Sequence, residues 1–391
     1  MKKEILFLLL ITLLAACSGG SGTSPITPVT SAAGKETAVV ATTAADYSSG
    51  AVSVLTTDSQ GKLSALNNLV PDGSDLSIAA YGRYFYRINR FGNGNNITKY
   101  AIDAPQTSRW QFSVQDSASS SVSSNPHDMV FASDTRAYVL RYGSTRAWIV
   151  NPAANSEANF KTGELDLSAY GGNDGIPEMD SAVIADGKLF ITLQRLEGPT
   201  LQPDNVSYLA VFDIKTDKEI DVGIPGATLK GIPLLVRNPT KILYDRNSDS
   251  IYVLGSGSTL PPLKYVGGIE KINATSYKQT LILDDGNNSV HPYGVFFQMA
   301  LVAPDTLYFV GYQGWQNNTL YRLNMVSGKV AATTIPQLIN GDIADLEVDQ
   351  QGRLWVADDA NATVRVIDPA SGDQLDAVYT ILNPEKIVFM H

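Results

Sequence analysis

The sequence predicts an all-β fold, a seven-bladed β-propeller, and two observations carry this prediction. A short apolar–aromatic–apolar segment recurs with a turn before it, as in residues 82–88, 135–141 and 187–193. A second strand follows each copy and ends in a turn that begins with Asp or Asn, while a further strand precedes each copy. Four short antiparallel strands that repeat roughly every 45 to 60 residues form the pattern of a propeller blade.

The number of blades follows from counting the copies. Residues 52–61 form a looser copy near the N-terminus, and the other copies share one aromatic position, held by Phe85, Tyr138, Phe190, Tyr252, Tyr308 and Trp355. Seven copies favour a seven-bladed ring over an eight-bladed ring or a β-sandwich.

The last nine residues, NPEKIVFMH, read like the first strand of a blade. The first copy, residues 38–66, lacks that strand, because nothing before it has the required pattern. We therefore expect the C-terminal strand to complete the first blade, one strand from the end of the chain joining three from the beginning. Closing the ring leaves only short blade edges exposed. Within this strand we expect Glu385 and Lys386 to face the rim and the remaining residues to be buried.

The N-terminus indicates export. Lys2 and Lys3 precede a ten-residue apolar run that is too short to span a bilayer, which is typical of a signal peptide. The segment ends in LAAC and resembles a bacterial lipobox, which implies cleavage before Cys17 and lipidation of that residue, the only cysteine in the chain. Ser18 in the next position implies outer-membrane sorting. An ordinary secretory signal that happens to carry a cysteine remains the alternative.

These features divide the chain into a signal peptide (1–16), a lipidated cysteine with a flexible tether (17–37) and the propeller (38–391). The predicted location is the cell envelope, with the outer membrane as partner through the lipid anchor and the protein facing either the periplasm or the exterior. The formal net charge of −10 argues against a nucleic-acid partner, which would require a basic face.

The repeat resembles the broad YVTN and NHL-like group of seven-bladed propellers, most clearly in DLEVDQQGRLWVADDANATVRVIDPASG, residues 345–372. The resemblance covers nearly all of the chain after the tether and is a fold-level signature. It implies that two sets of loops emerge on one face around a central channel. On this rim we expect a ligand or partner site that includes Arg90, Arg141, Arg195, Tyr142, His127, Asp128, Asp180, His291, Tyr312, Trp315, Asp342 and Asp358.

Three of these rim residues, Arg90, Arg141 and Arg195, belong to consecutive blades. Arginines beside aromatic residues suit an anionic or planar ligand through forked hydrogen bonds and stacking. The alternative is that they pair with acids such as Asp128 and Asp180 across the borders between blades.

A catalytic set is not evident, and no catalytic residue is predicted. No G-x-S-x-G motif precedes a helix. No cofactor is predicted either, although His127 and His291 hold equivalent rim positions and could, with Asp128, bind a divalent metal at the channel mouth. Gluconolactonase-like propellers hold a metal in the channel, and Asp358 resembles one of their ligands, but the others have no match here.

The sequence therefore favours a non-enzymatic binding or scaffold module that presents its rim to an envelope protein or a small anionic ligand. The competing hypothesis is a metal-dependent propeller enzyme, similar to a lactonase or hydrolase, with its site at the channel mouth.

Overall fold

The computed structural model describes residues 35–117 and 122–390. Its 29 strands form seven antiparallel sheets, one for each predicted blade. The innermost strand of every sheet contacts the innermost strands of the sheets on either side, so the seven sheets close into a ring. The signal peptide, Cys17 and the tether through residue 34 lie outside the described residues.

The first blade contains both ends of the propeller. Its strands, from the channel outwards, are β29 (Asn383–Phe389), β1 (Thr37–Thr43), β2 (Gly50–Thr57) and β3 (Leu63–Asp72). Antiparallel pairing sets Val39 opposite Val388 and Val40 opposite Ile387, and all four residues are buried. The predicted closure, with one C-terminal strand and three N-terminal strands, is confirmed.

The next three blades follow the same order from the channel outwards. Blade 2 contains β4 (Leu76–Tyr81), β5 (Tyr84–Asn89), β6 (Asn96–Ala101) and β7 (Ala104–Ser113). Blade 3 contains β8 (Pro126–Ser133), β9 (Arg136–Arg141), β10 (Arg146–Val150) and β11 (Lys161–Asp166). Blade 4 contains β12 (Met179–Ala185), β13 (Lys188–Leu193), β14 (Tyr208–Asp213) and β15 (Lys218–Glu219), and β16 (Ile232–Pro233) also pairs with β14.

The last three blades repeat the pattern. Blade 5 contains β17 (Pro239–Asp245), β18 (Ser250–Gly255), β19 (Gly268–Asn273) and β20 (Gln279–Asp284). Blade 6 contains β21 (Val295–Ala303), β22 (Thr306–Tyr312), β23 (Asn318–Asn324) and β24 (Lys329–Ala332). Blade 7 contains β25 (Ile343–Val348), β26 (Leu354–Asp358), β27 (Thr363–Ile367) and β28 (Gln374–Tyr379).

Helical structure in the described residues is limited to single turns of 3-10 helix in the loops, at Phe91–Asn93, Glu157–Asn159, Ser168–Tyr170, Pro336–Leu338 and Asp359–Asn361. No helix in this part of the chain has the length and apolar character needed to cross a membrane. The hydrophobic core lies between neighbouring blades, where the recurring aromatic residues pack. Trp355 is fully buried and meets Phe389 of the C-terminal strand at a ring separation of 5.2 Å.

Four innermost strands share an irregularity that determines the lining of the channel. Each carries a β-bulge near its first residues, and the residue directly after the bulge is charged and almost completely buried. A bulge bends a strand and re-aims the neighbouring side chain. The four charged residues are Lys386, Asp128, Lys241 and Asp345.

Candidate functional site

The channel lining is a ring of charges that neutralise one another. Around the ring, blades 1, 3, 5 and 7 carry Lys386, Asp128, Lys241 and Asp345, so the sign alternates. The ammonium group of Lys241 lies 3.0 Å from Asp345 Oδ1 and 2.7 Å from Glu347 Oε1. Lys386 Nζ lies 3.4 Å from Asp128 Oδ1. Lys386 is 3% exposed, so its predicted place on the rim is wrong: its side chain belongs to the channel interior.

The mouth of the channel, on the side where β8 begins, is built around His127. His127 is the extra residue of the bulge in β8, and it is 3% exposed. Its Nδ1 atom lies 2.9 Å from Asp180 Oδ1, and Asp180 is fully buried near the start of β12. The ring of Tyr142 stacks on the imidazole with a centroid separation of 4.1 Å.

The surroundings of His127 favour the neutral imidazole. Burial lowers the pKa of His127 well below 6.5, and the positive charges of Arg90 and Lys386 lower this pKa further, against an opposing effect of Asp75. If Asp180 is ionised, a neutral His127 donates from Nδ1 to its carboxylate, because an ionised carboxylate only accepts hydrogen bonds. Nε2 is then left as the basic atom, which is the arrangement that a general base requires.

Tyr142 connects this histidine to the next two blades. Its hydroxyl group donates to Gln194 Oε1 at 3.0 Å, and Gln194 Nε2 donates to the carbonyl of Pro239 at 3.1 Å. The ring of Tyr142 therefore has little freedom to move away from His127.

Glu178 lies near enough to Tyr142 for its charge to raise the pKa of the tyrosine, and its own pKa is shifted in the opposite direction from that of His127. Glu178 is 3% exposed and its Oε2 accepts a hydrogen bond from the backbone N–H of Leu196 at 3.1 Å. Burial, followed by the negative charge of Asp174, raises the pKa of Glu178 to about 8. With a pKa of about 8, Glu178 is mainly protonated at pH 7 while His127 is neutral, so the mouth contains a candidate acid and a candidate base.

The three predicted rim arginines have different environments. Arg90 Nε lies 2.7 Å from Asp75 Oδ1, and Arg141 Nη2 lies 2.7 Å from Asp116 Oδ2. Arg195 instead donates to the carbonyls of Tyr170 and Val206. The acids proposed as their partners have other contacts, since Asp180 binds His127 and Asp128 binds Lys386.

His291 is in a different setting from His127. Its Nδ1 lies 2.9 Å from the carbonyl oxygen of Asn287, and its ring stacks on Tyr265 with a centroid separation of 4.0 Å. Within residues 35–117 and 122–390, no group of three or more His, Cys, Asp or Glu side chains is arranged to hold a metal ion. The predicted grouping of His127, His291 and Asp128 is therefore absent from this part of the chain.

The other predicted rim residues belong to blades 6 and 7. Asp358 is fully buried and binds Arg365 Nε at 2.6 Å, while Asp342 accepts a hydrogen bond from Asn318 at 3.0 Å. The ring of Tyr312 stacks on Phe297, and Trp315 is 51% exposed. None of these contacts involves the His127 group.

Two residues at the mouth, Asp75 and Gln194, were missed in the sequence-based prediction. Asp75 lies directly before an innermost strand and Gln194 directly after a second strand, the same positions that selected His127 and Arg195. Position in the repeat could have identified them, whereas their pairing depends on which bulge re-aims which side chain.

Comparisons with known proteins establish the fold. No family model and no curated protein matches the chain. Among solved structures, a proposed 6-phosphogluconolactonase from Bacteroides fragilis has a TM-score of 0.63 at 11% identity, covering 93% of this chain and 99% of its own. A similar proposed enzyme from Bacteroides uniformis has a TM-score of 0.60 at 10% identity, covering 91% and 99%. The periplasmic gluconolactonase PpgL of Pseudomonas aeruginosa has a TM-score of 0.60 at 12% identity, covering 92% and 99%.

These neighbours correct the functional expectation drawn from the sequence. The chain was expected to be a non-catalytic scaffold or binding module, yet these three similar structures are described as lactonases. Identities of 10–12% show the shared fold alone. The descriptions of these neighbours count against the scaffold hypothesis and agree better with its alternative, a propeller enzyme.

Proposed function

We propose that this protein is a hydrolase of cyclic esters, a lactonase-like propeller with its active site at the channel mouth between blades 2, 3 and 4. The observation that carries the proposal is the buried His127–Asp180 pair, 2.9 Å apart, with Tyr142 stacked on the imidazole. The lactonase descriptions of the structural neighbours support the reaction class.

In the proposed reaction, His127 Nε2 takes a proton from water as the water oxygen attacks the lactone carbonyl carbon. Asp180 holds the imidazole in the correct tautomer and stabilises the imidazolium that forms, as an orienting carboxylate does in other hydrolases. Arg90, whose charge acts on both His127 and Tyr142, stabilises the negative charge that develops on the carbonyl oxygen. The ring C–O bond then breaks and the leaving alkoxide takes the proton of Glu178. The product is the open-chain hydroxy acid.

The test is lactone hydrolysis by the purified protein, followed by proton release with glucono-δ-lactone and its 6-phosphate as substrates. We expect a rate clearly above spontaneous opening, and a loss of about 100-fold or more for His127→Gln, because a general base contributes at least that factor. His291→Gln is the matched control, since it changes a rim histidine outside the group. Absence of acceleration by the wild-type protein with both lactones would overturn the proposal, and unchanged activity of His127→Gln would return the His–Asp pair to a structural role.

The pH dependence of kcat/KM tests the assignment of base and acid. Activity should rise as His127 loses its proton at a pH below 6.5 and fall as Glu178 ionises near its pKa of about 8. Glu178→Gln should remove the alkaline limb while leaving the acidic limb in place. An alkaline limb that persists in this variant would contradict the role of Glu178.

We also propose that the protein is held at the outer membrane through Cys17. The first blade determines the face of the propeller to which such an anchor would be connected. Thr43 pairs with Asn383 at the rim, so Thr37, at the other end of β1, lies at the opposite face of the propeller. A tether that joins the propeller at Thr37 therefore attaches to the face opposite the mouth. Cys17→Ser should release the protein from membranes, and continued attachment would refute the anchor.

A further inference from the structure

Two arginines stand out on the rim between blades 4 and 5 because they lack carboxylate partners. Arg195 directly follows Gln194 after β13, and Arg237 lies two residues before β17. Arg195 Nε donates to the Tyr170 carbonyl at 2.7 Å and Nη1 donates to the Val206 carbonyl at 2.8 Å. Arg237 Nη1 donates to the Leu234 carbonyl at 3.1 Å. Backbone carbonyls position these guanidinium groups without neutralising them.

The two arginines bind neighbouring segments. Arg195 donates to the carbonyl of Val206, and the carbonyl of the next residue, Ser207, accepts at 2.9 Å from the N–H of Leu234, whose own carbonyl binds Arg237. Burial lowers the pKa of Arg237, and the neighbouring charge of Arg195 lowers this pKa further despite an opposing effect of Glu270. Neither arginine forms an ion pair within 4.0 Å with an acid of the described chain, whereas Arg90 and Arg141 both do. Both arginines therefore carry a positive charge that no acid of the described chain balances within 4.0 Å.

The acids nearest to this pair are engaged elsewhere. Glu270 is fully buried and accepts hydrogen bonds from the N–H of Leu235 at 3.0 Å and from Gln279 Nε2 at 3.0 Å. Burial raises the pKa of Glu270 to about 7, so this residue carries only part of a negative charge at neutral pH. Glu197 accepts from the N–H of Asn173 and from the side chain of Asn205.

We propose that Arg195 and Arg237 form a subsite for the phosphate monoester of a sugar substrate. Within the described chain, most of their N–H groups have no protein acceptor, and a guanidinium fork matches two phosphate oxygens. The ring centroid of Tyr208 lies 5.3 Å from the Arg195 guanidinium, and this cation–π contact restricts the movement of the guanidinium.

The location of the pair connects it to the proposed active site. Gln194, the residue before Arg195, binds the hydroxyl of Tyr142, and Tyr142 stacks on His127. Arg195 therefore belongs to the same loop that holds Tyr142 against His127, and we infer that a substrate bound at His127 reaches the pair with its far end. The choice of a phosphorylated substrate therefore rests on the proposed hydrolase function, whereas phosphate binding by the pair does not.

The experiment has a binding arm and a kinetic arm. In the binding arm, inorganic phosphate is titrated into the full-length protein and followed by calorimetry. Arg237→Gln is the main variant, because Arg237 has a single backbone contact and its loss disturbs the fold least. Arg322→Gln, which changes an exposed arginine on blade 6, is the matched control. We expect phosphate binding by the wild type and by Arg322→Gln, and a loss of about 10-fold or more in affinity for Arg237→Gln.

In the kinetic arm, KM is compared for glucono-δ-lactone and its 6-phosphate. We expect Arg237→Gln to raise KM for the phosphorylated lactone by about 10- to 100-fold and to leave the neutral lactone unchanged. If neither lactone is hydrolysed but phosphate binds through Arg237, the hydrolase proposal fails and the subsite stands. Equal phosphate affinity in wild type and Arg237→Gln, or an equal change for both lactones, would overturn the subsite.

Discussion

Charged side chains are paired with opposite charges inside the channel, whereas several titratable and charged groups at the channel mouth are not. Inside the channel, Lys241 lies between two carboxylates, and lysines and aspartates alternate around the ring. At the mouth, a histidine is kept neutral, a glutamate is kept protonated, and Arg195 and Arg237 bind only carbonyl groups. Both regions use the first residues of innermost strands and the loops before them, and the mouth also uses Tyr142, Gln194 and Arg195, which follow second strands.

This difference shows that a β-bulge can serve either stability or chemistry, depending on which groups surround the side chain that the bulge re-aims. A bulge in β17 aims Lys241 at acids across the channel, so the buried charge is compensated. A similar bulge in β8 gives His127 a single acid partner and surrounds it with further positive charge. Burial is the main cause of the shifted pKa values of His127 and Glu178, and strongly shifted pKa values mark candidate functional sites.

The largest expected effect is that of deleting residues 383–390 together with the last residue. This removes β29, uncovers the buried face of β1, and breaks the contacts of Lys386 with Ser77 and Asp128. The channel ring would be open, so we expect loss of cooperative unfolding, measured by denaturant titration and near-UV circular dichroism. A deletion of residues 18–26, which has the same length, is the control. Normal folding of the C-terminal truncation would show that the channel does not depend on its closing strand.

The sequence was sufficient to predict the fold because each copy of the sequence repeat corresponds to one blade. The turns, the recurring aromatic residues and the NPEKIVFMH segment are all recognisable as local sequence patterns. The number of blades and the closure of the ring could therefore be predicted from the sequence alone. The burial of Lys386 could not be predicted this way. A one-residue bulge decides whether that side chain points to the rim or into the channel, and a lysine before an apolar run is compatible with both.

The candidate site was only partly predictable for the same reason. Rim position identified His127, Asp180 and Tyr142, but not that the first two pair with one another. The positions of Arg90, Arg141 and Arg195 in the repeat likewise predicted one group of arginines. The first two pair instead with acids from irregular loops. These contacts join residues 15 to 53 positions apart in the chain, a separation at which a local sequence pattern does not predict pairing.

The second prediction tests compensation inside the channel. Lys241→Met should destabilise the protein by about 3 to 5 kcal/mol, because it leaves Asp345 and Glu347 buried without their cation. Urea unfolding at pH 8 measures this change. Lys230→Ala is the control, since that lysine is exposed and its contact with Glu219 is 3.6 Å long, so we expect a change of no more than about 1 kcal/mol. Equal small effects would show that the ring is not a stabilising element.

The third prediction concerns Asp285, a buried carboxylate with incomplete compensation in the loop between blades 5 and 6. Its Oδ2 accepts a hydrogen bond from Gly267 N–H at 3.1 Å, and its Oδ1 has no hydrogen-bond partner within the described chain. Burial raises the pKa of Asp285 from 3.8 to about 7. The unfolded chain therefore loses this proton first, and ionisation disfavours the folded state as the pH rises from 3.8 to about 7.

Asp285→Asn keeps the acceptor for Gly267 and removes the charge. A pKa difference of about 3 units corresponds to at most about 4 kcal/mol, so the variant should be more stable than the wild type at pH 9 by up to that amount. The gain should be smaller at pH 5, as measured by urea unfolding at the two pH values. Asp284→Asn, which changes the exposed neighbour, should shift stability by no more than about 0.5 kcal/mol at either pH. A gain independent of pH would contradict the electrostatic explanation.

The smallest expected effect is that of Lys386→Met, and it links the two regions. Lys386 has a longer contact with its acid than Lys241, at 3.4 Å, and Asp128 Oδ2 has no hydrogen-bond partner within the described chain. Burial already raises the pKa of Asp128, and the lysine lowers it. Without the lysine, Asp128 can remain protonated over a wider pH range, so we expect a cost of about 1 to 2 kcal/mol that increases from pH 5 to pH 8.

The Lys386→Met substitution should also change the pKa of His127 at the mouth, because the charge of Lys386 lowers that pKa. Removing that charge should move the pKa of His127 upwards, which an NMR titration of its ring resonances measures directly. Lys241→Met supplies the comparison, since Lys241 is not among the charges that act on His127. An upward shift only in Lys386→Met would mean that the channel ring, although internally neutral, tunes the histidine at its mouth through its nearest lysine. Equal titration in both variants would instead mean that burial and Arg90 alone keep the imidazole neutral.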